Sequence, residues 1–429
     1  MKMLKPIKEN SFAIYGLGLS GKSSFKFLKK KNTKKIYTWD DKKNKNNKKK
    51  FNLFKKKLDE VDYIVISPGI NIQKTKFKSK LFKNKKKIIT DLDLFYMQKI
   101  PVKSIVITGT NGKSTTCKLI QHIFKTNRFD AQLGGNIGKP VLDLKIKKNT
   151  TVIIEASSFQ LAYTQFIKPT LAVILNITSD HLDWHNTISH YKDSKLKIFS
   201  KQDSNDIALL NNEKIIKLFQ KNNYLSRLIY IKKNILNKVI KKKVTNNYLI
   251  SEANLENLIF ANKISKIFKI KEEIFIKAIN TFKGLAHRHE IFLKKKNITF
   301  INDSKATSFE SAKHALKNNK NIFWIFGGLP KINDQFNLQG ISANIVKSFI
   351  IGKKTDYFKN QVAKKIKYQI SFNLKNAIKH VFKELSLLKK NKAVVLFSPA
   401  SASYDQFNNF ADRGNQFKKI TKGYAKNFF

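Results

Sequence analysis

Short apolar runs that end in glycine, serine, proline or aspartate recur along the chain, and most are followed by a stretch whose apolar positions have helical spacing. Runs of β-branched and aliphatic residues bounded by turn residues read as buried strands. The first covers 11–15 and enters the turn Gly16-Leu17-Gly18-Leu19-Ser20-Gly21, with a helix predicted over 23–30. A strand over 35–39 ends at Asp40-Asp41, and one over 62–67 ends in Ser67-Pro68-Gly69. Residues 42–57, rich in lysine and asparagine, read as a solvated loop or helix face, and 91–102 as a connection.

A second series begins with the strand 104–108, which enters Gly109-Thr110-Asn111-Gly112-Lys113-Ser114-Thr115 and a helix over 115–125. Gly134-Gly135-Asn136-Ile137-Gly138 is a further glycine turn. Strands 151–154 and 171–177 end at Glu155-Ala156-Ser157-Ser158 and Thr178-Ser179-Asp180-His181, and a helix over 188–199 carries Lys195. Residues 206–250 read as short β segments with a lysine-rich hairpin, before helices over 255–268 and 271–282. A third series has a hairpin over 290–301 and strands over 321–326, 348–351 and 393–397, with a last helix over 410–422. Strand, polar turn and helix in alternation predict an α/β protein with largely parallel sheets. The expected domains are 1–97, 98–284 and 285–429, each an α/β unit.

Composition narrows the function. No apolar run approaches the length that spans a membrane, residues 1–10 lack a signal region, and Cys117 is the only cysteine, so a cytoplasmic protein without a disulfide framework is expected. The net charge of +56 would ordinarily point to nucleic acid. The only arginines, however, are Arg128, Arg227, Arg288 and Arg413; the rest is lysine, spread over every segment alongside asparagine. Sites that read nucleic acid favour the planar fork of arginine, so the excess reads as compositional bias on solvated positions.

Two glycine turns carry candidate chemistry. A strand, the loop Gly109–Thr115 and a helix form a phosphate cradle: backbone N–H groups and the helix N-terminus face the phosphates, Lys113 reaches the outer ones and the Ser114 hydroxyl is placed for Mg²⁺. The loop is shorter than the generic version, which would have glycine where Ile107 stands. The Gly16–Gly21 turn, with an acid about 20 residues on, suggests a dinucleotide and hence an NAD-dependent oxidoreductase if taken alone. Glu155 and His181, at two strand ends, could both face the nucleotide.

Taken together, Gly109–Thr115, Gly134–Gly138, Glu155-Ala-Ser-Ser-Phe-Gln-Leu161, Asp180-His-Leu-Asp183, Asp303-Ser-Lys-Ala-Thr307 and Ser398-Pro-Ala-Ser-Ala-Ser403 resemble the Mur ligases of peptidoglycan synthesis, in order and over nearly the whole chain. The Ser-Ser-Phe-Gln-Leu and Ser-Tyr-Asp-Gln-Phe runs resemble the branch that adds D-glutamate. The resemblance implies three domains: a Rossmann-like one for a UDP-substrate, a central P-loop-type ATPase domain and a C-terminal Rossmann-like one. It implies a monomeric ATP-dependent amide ligase that phosphorylates the L-alanine carboxylate of UDP-N-acetylmuramoyl-L-alanine and lets the D-glutamate amine attack the acyl phosphate. ATP and Mg²⁺ are the implied cofactors, with no nucleic acid or membrane partner.

By the same resemblance Lys113, Glu155, His181, Lys195 and Lys305 are catalytic. Gly109, Thr110, Asn111, Gly112, Lys113, Ser114, Thr115, Asn254, Arg288 and Asp303 would bind ATP. Gly16, Gly18, Leu19, Ser20, Asp41, Ser67, Pro68, Gly69, Asn136 and Ser157 would bind the UDP-substrate. Thr307, Lys331, Ser403 and Phe410 would hold D-glutamate, whose two carboxylates need cations and hydroxyls. Ser114 with Glu155 would hold one Mg²⁺ and His181 a second. Imidazole is a poor ligand for that ion, so the family adds oxygen through a carbamylated lysine, to which Lys195 aligns. Asp41, Ala253 (beside Asn254) and Leu329 depart from the family pattern. The alternatives are a sibling ligase or a folylpolyglutamate synthase relative using another amino acid.

Overall fold

The computed structural model describes residues 5–44, 46–232, 242–250, 252–331, 334–387 and 392–428. Sixteen strands are present among them. β1 (Ser11–Tyr15), β2 (Lys35–Trp39), β3 (Tyr63–Ile66) and β4 (Ile88–Ile89) form a parallel sheet in the order β2-β1-β3-β4. β5 (Ser104–Thr108), β6 (Ala131–Gly135), β7 (Thr151–Glu155), β8 (Leu171–Ile174), β9 (Ile207–Leu210) and β10 (Arg227–Tyr230) form a second, in the order β10-β9-β8-β5-β7-β6, again parallel. β11 (Glu290–Lys295), β12 (Ile298–Asn302), β13 (Ile322–Gly327), β14 (Ile345–Ile351), β15 (Tyr368–Phe372) and β16 (Ala393–Phe397) form a third, β11-β12-β16-β13-β14-β15, in which only β11 runs antiparallel.

Strands β5, β7 and β8 are buried at every position. Helices cover both faces of a parallel sheet, so its central strands are continuous apolar runs. The helix Lys113–Thr126 buries Ile120, Ile123 and Phe124 against Leu258, Ala261 and Ile264 of the helix Glu252–Ile267. Each of the Ile, Leu and Phe side chains so buried contributes about 1.5–3 kcal/mol. The loop Gly109–Thr115 is therefore mounted on a strand buried at every position and on a helix packed into the core.

The first two sheets lie in one compact unit, Met1–Lys283, and the third makes up another, Gly284–Phe429. Residues 91–102, expected as a connection, begin instead with a helix, Asp91–Met97, capped by Thr90 and Asp93. The same Asp93 joins the two sheets: its Oδ1 accepts from Thr164 Oγ1 at 2.6 Å and from the N–H groups of Gln165 and Phe166. A helix of seven residues has too few turns for its period to register in the sequence, and its capping acid serves a partner far along the chain.

Other elements also differ from expectation. The tract over 42–57 contains most of the helix Lys48–Glu60, which buries Phe54 and Leu58. The helix after the first glycine turn begins at Leu19, not at 23. Residues 207–230 form strand, helix Glu213–Lys221 and strand, with β9 and β10 pairing in parallel; the lysine-rich hairpin expected within 206–250 falls largely on residues 233–241, which lie outside the described residues. β4, β6 and β15 were not foreseen, being short or interrupted by polar residues. Among the described residues no helix is long and apolar enough to cross a membrane.

Candidate active site

The loop after β5 turns through Gly112, whose φ of +83° opens the helix Lys113–Thr126. A Cβ there would lie 2.2 Å from Asn257 Oδ1, so both conformation and space require glycine. The loop is pinned from β8: Thr110 N–H donates to Asn176 O at 2.9 Å and Asn111 N–H to Asn176 Oδ1 at 2.9 Å. Glu256 braces this arrangement, accepting from Asn176 Nδ2 at 2.8 Å and Asn211 Nδ2 at 2.7 Å. On the helix side Thr116 Oγ1 donates to Asn257 Oδ1 at 3.0 Å, and Asn257 Nδ2 to Asn254 Oδ1 at 3.1 Å, which brings the predicted Asn254 to the loop. Ser114 and Thr115 are buried in the first helical turn. Sequence reasoning missed Asn176, Glu256, Asn257 and Tyr191, whose hydroxyl sits 2.9 Å from Thr110 Oγ1; the one available signal was asparagine directly after an apolar strand.

Two lysines converge on this loop. Lys113 Nζ donates to Gly109 O and Thr110 O, both at 2.8 Å, and Lys195 Nζ donates to the same Gly109 O at 2.8 Å. Lys195 is 1% exposed and lies over the Tyr191 ring, with no carboxylate in ion-pair range among the described residues. Burial, and then the positive charge of Lys113, bring its ammonium from 10.5 down to about 6. Its neutral amine form is therefore populated near neutral pH.

Glu155 closes β7 opposite Ile107 of β5 and is 2% exposed. Its Oε1 accepts from Asn136 Nδ2 at 2.8 Å, while the buried Oε2 has no hydrogen-bond partner. A carboxylate oxygen buried without a donor is costly, and a cation is what satisfies it. Among the described residues no three His, Cys, Asp or Glu side chains form a ready-made cage. Mg²⁺ needs none, since it binds through one or two carboxylates, waters and substrate phosphates. Glu155 and the Ser114 hydroxyl fit such an ion. His181, at φ +52°, packs its ring at a tilt against Phe159 of the helix that follows β7, with its Nε2 3.5 Å from Asp180 Oδ2.

In the first sheet the Gly16–Gly21 turn follows β1, and Gly18 caps the helix Leu19–Lys30. Gly16 has φ +90°, and its carbonyl accepts from Ser67 Oγ at 2.8 Å, joining the turns after β1 and β3. Asp40 braces the first turn through Leu17 N–H at 2.7 Å. Asp41, predicted to meet the UDP-substrate, accepts from Tyr15 OH at 2.6 Å and Trp39 Nε1 at 2.8 Å, so its carboxylate is engaged by the aromatic cluster beneath the turn. Past Pro68 and Gly69, Asn71 Nδ2 donates to Trp184 O at 2.8 Å and Lys74 Nζ to Asp183 O at 2.7 Å, tying this turn to the segment that carries His181. Ser157 caps the helix Ser158–Tyr163 with Gln160, whose Nε2 reaches Asp91 Oδ1 at 3.2 Å. Ser20 lies in the first helical turn after Gly18.

In the C-terminal unit the predicted residues gather at the carboxyl ends of adjacent strands. Asp303, just past β12, accepts from Ser398 Oγ at 2.7 Å and His289 N–H at 3.0 Å, and burial raises its carboxyl to about 6, opposed by those bonds and by the charge of Arg288. Lys305 Nζ lies over the Phe410 ring, 5.4 Å from its centre. Leu329 and Ala402 exchange backbone hydrogen bonds, drawing the segment before Lys331 alongside the one ending in Ser403. Thr307 is half-buried two residues past Lys305.

Residues 107–258 match the family described as Mur ligase middle domain. The chain is 32% identical to the UDP-N-acetylmuramoylalanine–D-glutamate ligase of Rickettsia prowazekii, over 97% of this chain and 98% of that one. It is 33% identical to the ligase of the same name from the Wolbachia of Brugia malayi, over 97% of each. The chain belongs to the D-glutamate ligase branch of the Mur ligase family. Membership makes it a ligase and sets aside the nicotinamide oxidoreductase suggested by the Gly16–Gly21 turn. Among solved structures, the MurF ligase of Thermotoga maritima in complex with ADP superposes with a TM-score of 0.57 at 14% identity, over 99% of this chain and all of that one. E. coli FolC in complex with ADP gives 0.53 at 12% identity over 78% and 93%. At such identities the likeness is one of fold.

Proposed function

We propose that this chain joins D-glutamate to UDP-N-acetylmuramoyl-L-alanine at the expense of ATP, in the making of peptidoglycan precursors. The observation that carries the site assignment is the convergence of Lys113 and Lys195 on the single carbonyl of Gly109. Two amines crowded at one oxygen, with Glu155 Oε2 unpartnered and buried nearby in the same sheet, form a site awaiting a polyanion and a cation.

The loop amides and Lys113 bind and orient the ATP phosphates in line with the L-alanine carboxylate. A carboxylate oxygen attacks the γ-phosphorus, the bond to ADP breaks, and an acyl phosphate results. The D-glutamate amine then attacks the acyl carbon; inorganic phosphate leaves with the electron pair, and the amine gives up a proton. Bound Mg²⁺ would supply compensation of phosphate charge, held by Glu155, Ser114 and, for a second ion, His181. Lys195 in its neutral form can add CO₂, and the anionic carbamate would bring the oxygen lone pairs that an ammonium lacks. Residues 1–97 would take the uridine diphosphate at Gly18, Leu19, Ser20, Ser67, Pro68 and Gly69. Residues 98–284 would take ATP, and 285–429 would supply Asp303, Lys305, Thr307, Lys331, Ser403 and Phe410 for D-glutamate and ATP. A cytoplasmic monomer accords with substrates of this kind.

The test is phosphate release from ATP with UDP-N-acetylmuramoyl-L-alanine present, across a panel of amino acids. Release should depend on D-glutamate; release that is indifferent to it, or that follows another amino acid, rejects the reading.

A further inference from the structure

In the C-terminal unit Arg413 is entirely buried, yet among the described residues no carboxylate lies within ion-pair distance of it. Its Nε donates to Ser304 Oγ at 3.0 Å, and its Nη2 donates to Ser304 O at 2.8 Å and Ser401 O at 3.0 Å. Ser304 Oγ in turn donates to Phe410 O at 2.8 Å. Nη1 and the neighbouring Ser401 Oγ are buried without partners. Burial lowers the guanidinium to about 10, so it stays charged at neutral pH.

An unpaired buried cation works against stability, and a fold built for stability alone would place an apolar side chain or an ion pair there. This one sits where three segments meet: 303–307, 398–403 and the start of the helix Phe410–Phe428. Those segments carry Lys305, Thr307, Ser403 and Phe410. We propose that Arg413 is a positioning residue of the amino-acid pocket: its fork fixes the three segments in register and places a positive charge, which Asp405 offsets only from beyond ion-pair distance, behind a pocket for a dicarboxylate. The proposal rests on the D-glutamate reading above. Asp303 is held separately by Ser398 and His289, so the ATP side depends less on the fork. Lysine cannot replace the fork, because an ammonium cannot span Ser304 and Ser401 in the same planar geometry.

The experiment compares full-length wild type with Arg413→Lys, Arg413→Met and Ser304→Ala, the last keeping the charge while removing the link to Phe410. KM is measured for D-glutamate and for the UDP-substrate, alongside thermal unfolding. The expected result is a rise of tenfold or more in KM for D-glutamate in Arg413→Met, a smaller one in Arg413→Lys and Ser304→Ala, and a KM for the UDP-substrate within twofold of wild type. Parallel rises in both KM values, or an unchanged KM for D-glutamate in Ser304→Ala and Arg413→Lys, overturn the proposal. The wild-type control separates the two readings: if another amino acid supports turnover, the D-glutamate assignment fails and the KM comparison is made with that amino acid.

Discussion

Replacing Lys195 with methionine tests the electrostatics of the site directly. The folded-state value is about 6 and the unfolded reference 10.5. Between those values the unfolded chain binds a proton that the folded chain does not, so stability rises with pH across this window. The penalty is complete below about pH 6 and vanishes as pH passes the unfolded value. At pH 7 it amounts to about 5 kcal/mol, and at pH 10 to about 1 kcal/mol, taking 1.36 kcal/mol per pKa unit. Lys195→Met removes it, at the loss of the bond to Gly109 O, which is worth about 1 kcal/mol at any pH. Urea unfolding in CO₂-free buffer should therefore show the variant more stable than wild type by several kcal/mol at pH 7, with the gain mostly gone by pH 10. Its ligase turnover should fall by about 100-fold or more, since the carbamate proposed for Lys195 could no longer form. An equal stability difference at both pH values would refute the depressed ionisation. Undiminished turnover would refute the catalytic role.

Glu155→Gln keeps an acceptor for Asn136 but removes the charge at the unpartnered oxygen, so folding stability should stay within about 1 kcal/mol while the Mg²⁺ concentration for half-maximal rate rises about tenfold; a metal titration of the rate checks it. Gly112→Ala meets a forbidden φ and a clash with Asn257, and should cost about 1–3 kcal/mol by thermal unfolding and raise KM for ATP. Asp41→Ala leaves Tyr15 and Trp39 without their acceptor, so a stability loss of about 1–3 kcal/mol is expected with little change in KM for the UDP-substrate. The opposite pattern, intact stability with a large KM increase, would make Asp41 a direct substrate contact.

Turn chemistry and apolar period are local, so the sequence by itself determined much of the scaffold. The strands ending at Tyr15, Thr108 and Phe397, and the loop from Gly109 to Thr115, lie where those signals put them. Elements lacking enough period to register, such as the helix Asp91–Met97 and the strands β4 and β15, emerged only with their partners. Burial is not local, and there the tertiary structure decided the chemistry. Nothing in its own run distinguishes Lys195 from dozens of solvated lysines; the packing that excludes water from it, with Lys113 on the same carbonyl, brings its ionisation near neutrality. Asp40 and Asp41 are adjacent just past the end of β2, yet one braces a backbone turn through Leu17 N–H and the other accepts from the aromatic pair Tyr15 and Trp39. Arg413, one of four arginines among many lysines, showed its setting only when the segments 303–307 and 398–403 closed around its helix.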